Sequence, residues 1–114
     1  MPDQETPLNL LFKDALRVME KLGDTFTAAS FIRMVARNDQ AAYIHLLTEY
    51  VDDKQPFIAA NTAIENRLNE VAPGCGYLPA EEKTLDTDLF GKLQKVVLYR
   101  RVSDVVQSDT LEQD

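Results

Sequence analysis

The sequence holds a single cysteine (Cys75), a single histidine (His45), four glycines and no tryptophan in 114 residues. One thiol excludes an internal disulfide and fits a reducing compartment. One His and one Cys exclude the usual zinc ligand sets within one chain. The glycines, at 23, 74, 76 and 91, form neither a Walker loop nor a Gly-x-Gly-x-x-Gly turn, which removes the common phosphate cradles. No apolar run approaches the ~20 residues of a membrane helix. The start, MPDQETPLNLL, lacks the basic, apolar and small-residue segments of a signal peptide. The expectation is a soluble cytoplasmic chain with no membrane association, metal or cofactor.

Positive charge is also scarce. Twelve Lys and Arg stand against 19 Asp and Glu, for a formal charge of −7. The acids are concentrated at the ends, with Asp3 and Glu5 in residues 1–6 and Asp104, Asp109, Glu112 and Asp114 in residues 103–114. The segment between is close to neutral. Net charge therefore argues against strong nonspecific nucleic-acid binding while leaving room for a local basic surface. Residues 91–102, GKLQKVVLYRRV, supply one: Lys92, Lys95, Arg100 and Arg101 with no acid among them.

What is present is a good core supply. With 45% hydrophobic residues in a chain of one-domain length, folding hides roughly two-thirds of the extended surface. The division expected is a flexible acidic N-terminus at 1–6, one domain at 7–102, and an acidic, disordered tail at 103–114.

Thr6 as cap, Pro7 at the first helical position and Gly23 as stop predict a first helix, with Leu8, Leu11, Phe12, Ala15, Met19 and Leu22 on one face. A short extended piece at Asp24–Phe26 precedes a helix over about 28–37 capped by Thr27, with Phe31, Ile32 and Val35 inward. Asp39 caps the next helix, about 40–51, whose stripe reads Tyr43, Ile44, Leu47, Tyr50 and Val51. These two short helices form a helix–turn–helix shape. Pro56 opens a longer helix to about residue 72, with Phe57, Ala60, Ile64, Leu68 and Val71 on its stripe, and Pro73–Gly74 stop it. The following PGCGYLPAEEKTLDTD reads as a surface linker with a short strand at Tyr77–Leu78. The β-branched and aromatic run from Leu93 to Arg100 reads as a strand. The fold class expected is mainly α with a small β element (α+β), a winged-helix-like domain with a short antiparallel sheet. That analogy concerns the order of elements, and the helix at 56–72 is extra to the simplest version.

Chemistry is poorly signalled. Cys75, between glycines, and His45 are the only thiol and imidazole, and a Cys–His pair must be in hydrogen-bond reach to act. A Gly–Cys–Gly turn with an incidental cysteine is the simpler reading. DTDLFG at 86–91 has the spacing of a calcium-loop start, but Phe90 replaces the third acidic position and Val97 the closing Glu. An acidic surface loop accounts for it. The expectation is that the protein is not an enzyme.

Binding remains. A helix–turn–helix scaffold and a basic strand suggest DNA, contacted by a dimer, with Arg33, Arg37, Lys92, Lys95, Arg100 and Arg101 on phosphates. Against this, neither helix that would read bases is basic: QAAYIHLLTEY has no Lys or Arg, and FIAANTAIENRLNE carries Glu65 and Glu70 beside its Asn residues. The alternative is a protein-interaction or oligomerisation module, an adaptor or homodimer without nucleic-acid contact. Its signals are Tyr43, Tyr50, Phe57, Tyr77, Phe90 and Tyr99, a residue class enriched at interfaces, and a late strand with an open edge.

Overall fold

A computed structural model describes residues 6–88 and 90–102. Among these the chain forms helices α1 (Pro7–Leu11), α2 (Ala15–Leu22), α3 (Ala28–Asn38), α4 (Gln40–Glu49) and α5 (Pro56–Val71), and a 3-10 turn at Pro73–Cys75. Its strands are β1 (Thr25–Thr27), β2 (Tyr77–Pro79), β3 (Thr84–Thr87), β4 (Leu93–Val96) and β5 (Leu98–Arg101). The class is α+β: a helical body with a small antiparallel sheet. The acidic, disordered tail expected at 103–114 lies outside the described residues, as does most of the expected N-terminal segment at 1–6.

Where the sequence predicts one first helix, the chain forms two. Thr6 does cap the first, its hydroxyl accepting from Asn9 N–H at 3.1 Å. At the bend, Lys13 N–H reaches Leu10 O at 3.2 Å and Ala15 N–H reaches Phe12 O at 3.1 Å, each only three residues back. The bend lets α1 lie on α4 while α2 lies on α3, contacts one straight helix would not make together. Phe12, at the bend, packs 5.3 Å from Phe31 and beneath the Arg67 guanidinium.

The caps predicted for the next two helices are in place as well. Thr27 and Ser30 form a reciprocal capping box at 2.9 and 3.1 Å, and Asp39 accepts from Ala42 N–H at 3.1 Å. The face of α4 differs from the predicted stripe: Ala42, Tyr43 and Leu46 are buried, whereas Ile44 and Val51 stand in solvent. Neighbours on α1, α3 and α5 cover the first line and leave the second uncovered. On α5, Ala60, Ile64 and Leu68 are fully buried as their spacing requires, but Phe57 is exposed.

Strand order in the larger sheet is β1–β5–β2, all antiparallel, with Phe26 opposite Tyr99 and Tyr99 opposite Pro79. Phe26 stacks 5.4 Å from Tyr99 and meets Tyr77 edge-on at 5.0 Å, so the sheet delivers aromatic rings to the helices. The buried Tyr77 hydroxyl donates to Gly23 O at 2.9 Å and accepts from Arg101 Nη2 at 2.9 Å. The predicted surface linker therefore contains one core strand. It contains a second strand too, because β3 pairs with β4 in a separate two-stranded ribbon, Thr84 opposite Val96 and Asp86 opposite Gln94. The strand predicted over 93–100 is interrupted at Val97, whose carbonyl accepts from Ala28 N–H at 2.9 Å. No helix of the described residues is long and apolar enough to cross a membrane.

Candidate functional site

The β3–β4 ribbon is a sheet of its own that lies against α3 and, at Phe90, against the start of α5, and its local chemistry begins with the acids of TLDTDLFG. At the tip, Asp88 Oδ1 accepts from the N–H groups of Phe90 (2.8 Å) and Lys92 (2.9 Å). Asp88 N–H donates to Lys92 O, Gly91 N–H donates to Asp88 O, and Gly91 takes φ +84°. This is a hairpin loop closed by a glycine bulge, and only glycine adopts that φ without strain. The Lys92 N–H foremost among these donors holds the Asp88 carboxyl below its ordinary range. Both aspartates of the calcium-like DTD have structural uses.

Asp86 fastens the ribbon to the body. Its carboxylate accepts from the Thr27 hydroxyl, the Thr87 N–H and Arg33 Nη1, and the same guanidinium donates to Thr87 O. Partial burial alone would push the Asp86 carboxyl up. The hydrogen bonds from Thr27 and Thr87 and the Arg33 charge outweigh that and hold it low. One cluster thus joins the cap of α3, the middle of α3 and the end of β3.

The six cations expected on phosphate do not share one face. Arg33 belongs to the Asp86 cluster, 3.3 Å from its carboxylate. Arg101 pairs with Asp24 at 3.1 Å and lies 5.2 Å from the centre of the Tyr77 ring. Arg37 is exposed in the last turn of α3, favourably placed against the helix dipole. Lys92 is at the ribbon tip, and Lys95 shares a face with its cross-strand partner Leu85. Arg100 lies on the outer face of the larger sheet opposite Leu78, and lines a depression with Glu81 and Glu82. Among the described residues, Arg37, Lys92, Lys95 and Arg100 form no ion pair.

Apolar side chains are conspicuous here instead. Phe90 at the tip is 67% exposed and meets Phe57, 41% exposed, edge to face at 4.6 Å. Ile58 joins them around a groove of about 350 Å³ between α5 and the ribbon. Leu85 and Leu93 are exposed on the ribbon's outer face. The inner side of the groove is polar: Asn61, Glu65 and Asn69 recur every fourth residue on α5, so they stack along one side of the helix. Tyr43 donates to Asn61 Oδ1 at 2.8 Å and Tyr99 to Asn69 Oδ1 at 3.3 Å. Burial, partly offset by Lys83, pushes the Glu65 carboxyl up. Burial, the hydrogen bond to Asn61 opposing it, pushes the Tyr43 phenol up to about 12.

Cys75 is half-buried, and burial, reinforced by Glu20, raises its thiol. An activated nucleophile needs the opposite shift. His45 is exposed on α4.

Sequence reasoning missed Leu85, Leu93 and the anchoring use of Asp86, and it counted Phe57 both on the core stripe of its helix and among the interface aromatics, of which the exposed ring fits the second. The signal for β3 was the spacing of Thr84, Asp86 and the flanking Thr87, a polar alternation that also reads as loop. Comparison with protein-family models, curated proteins and solved structures returns no match.

Proposed function

We propose that this chain is a non-catalytic binding module on a winged-helix-like scaffold, and that it engages a protein partner through the β3–β4 ribbon and the first turn of α5. The scaffold reading is supported by the order helix, strand, helices, hairpin and by the β1–β5–β2 arrangement with a ribbon beyond it. It departs from the simplest version by having three helices between the first two strands.

The observation that carries the partner reading is the Phe57–Phe90 pair. Two exposed aromatic rings joined edge to face, with Ile58 beside them and Leu93 nearby on the ribbon, form the kind of anchor that dominates protein interfaces. Apolar groups held in water cost free energy that a partner's cover returns. The test is a photo-crosslinking residue at position 90 of the full chain in cells. The reading predicts a protein adduct of discrete mass that disappears when Phe57→Ser is added. Adducts that are diffuse, or indifferent to Phe57→Ser, would reject it.

DNA contact is the second reading, favoured by Lys92, Lys95 and Arg100, which form no ion pairs among the described residues. It has less support, since Arg33 and Arg101 are committed within the molecule. The exposed surfaces of α4 and α5 also present Glu49 and Glu70. Phosphate contact requires affinity that falls steeply with salt and a slope reduced by the Lys95→Ala, Arg100→Ala double variant.

A further inference from the structure

Beside the strand line formed by β4 and β5, one lane is filled along only part of its length. On β5, Arg101 N–H donates to Asp24 O at 2.8 Å, and Phe26 sits opposite Tyr99. Val97 O accepts from Ala28 N–H. The odd-numbered residues 97, 99 and 101 therefore direct their backbone groups towards β1 and the start of α3. On β4 the Asp88–Lys92 backbone bond fixes the alternation: Lys92, Gln94 and Val96 face β3, and Leu93 and Lys95 face away. That is the same side as 97, 99 and 101. The lane ends where β1 turns into α3, and beyond it the N–H and C=O groups of Leu93 and Lys95 have no backbone partner among the described residues. The other edge of the ribbon is covered at Thr87 O by Arg33.

The vacant stretch borders a groove. Ala28, Glu65, Asn66, Asn69, Lys83 and Lys95 line one end, of about 270 Å³, and the Phe57–Phe90 end is about 350 Å³. Asn61 and Asn69 present their carbonyls to tyrosine hydroxyls, and their NH2 groups have no partner among the described residues.

We propose that an extended segment of another protein adds as a strand to β4, in line with β1, and that it is acidic. The inference rests on the protein-binding reading above and specifies its mode. Backbone pairing to Leu93 and Lys95 supplies the affinity common to strand addition. Side chains directly opposite share a face, so an antiparallel guest presents, in chain order, an acid opposite Lys95, a hydrogen-bonding residue opposite Gln94 and an apolar residue opposite Leu93. Lys83 lines the same end as Lys95 and adds a second positive charge there, while Glu65 between the two ends and Asp88 at the Phe90 end limit how many acids the guest carries. A second copy pairing β4 with β4 about a twofold axis would gather Lys92 and Lys95 from both chains at one edge, which like-charge repulsion opposes.

The test uses the full chain and a capped nonapeptide that carries Asp-Thr-Val once, at its centre, between flanks of Ser and Thr, so that only one register matches, followed by amide NMR and hydrogen exchange. Saturable binding should protect the Leu93 and Lys95 amides, which exchange freely beforehand. N-methylation of alternate peptide amides should abolish binding in one phase and spare it in the other. Lys95→Glu should weaken it about tenfold, and a Lys-Thr-Val peptide should not bind. No saturable binding, or binding insensitive to the phase of N-methylation, overturns strand addition. Displacement of the probe by a peptide of residues 103–114 at lower concentration, or dimers of the chain with protected Leu93 and Lys95, overturns the foreign occupant. A Phe57-dependent adduct at position 90 alongside either failure leaves the protein-binding reading intact and removes only this mode.

Discussion

β5 and β4 are successive segments of one strand line, separated by Val97, and they live in different surroundings. β5 has a strand on each side, and its Tyr99 is buried against Phe26. β4 has β3 on one side and, among the described residues, no strand on the other, and Leu93 is exposed. Neither propensity nor composition separates them: LQKV and LYRR are both mixtures of aliphatic and basic residues. What differs is the cover brought from distant sequence. Aromatic rings from Phe26 and Tyr77 reach β5, whereas the ribbon is fastened mainly through one carboxylate. The first segment is tied into the core, and the second carries the edge to which the proposed partner would add.

The comparison can be broken at several depths. Tyr99→Ala removes a buried ring from the sheet–helix junction and should cost about 3–5 kcal/mol, read as a large drop in the denaturation midpoint of the whole domain. Asp86→Ala should act on the ribbon alone. It leaves the Arg33 guanidinium half-buried without its carboxylate, and about 1–3 kcal/mol of ribbon docking is lost. Hydrogen exchange should quicken in β3 and β4 with little change in α5. Acid should mimic this variant. Asp86 is held below its ordinary value of 3.8, so its contribution is complete above the unfolded pKa and disappears as pH falls through the folded one. Ribbon amides should therefore lose protection below about pH 4, before the helical body unfolds. Gly91→Ala opposes the positive φ of the tip and should cost about 1 kcal/mol, confined to the turn. Leu93→Ser should change stability by no more than about 0.5 kcal/mol while weakening association.

Much of the body was legible because its signals are local. Thr6, Thr27 and Asp39 are caps whose partners lie three residues away, and Ala60, Ile64 and Leu68 follow helical spacing. The first helix was misread because its break depends on Phe12 finding Phe31 and on α4 lying beside α1, neither of which periodicity encodes. Ile44 and Val51 looked like core for the same reason: an apolar stripe does not say which neighbour will cover it. At the ribbon, charge misled. Asp86 and Asp88 make the segment look like a solvated loop, yet one carboxylate joins β3 to α3 across more than fifty residues of sequence. Basic residues adjacent in the chain, Arg100 and Arg101, were read as one surface, but the pleat sends them to opposite faces.

Amide hydrogen exchange of the intact protein, resolved residue by residue across β4, probes this division of labour most sharply. Gln94 and Val96 should be protected through their bonds to β3, and Leu93 and Lys95 should exchange at nearly the rate of an unstructured chain. Equal protection at all four positions would mean that the lane beside β4 is already filled, and the ribbon would have no free edge to offer a partner.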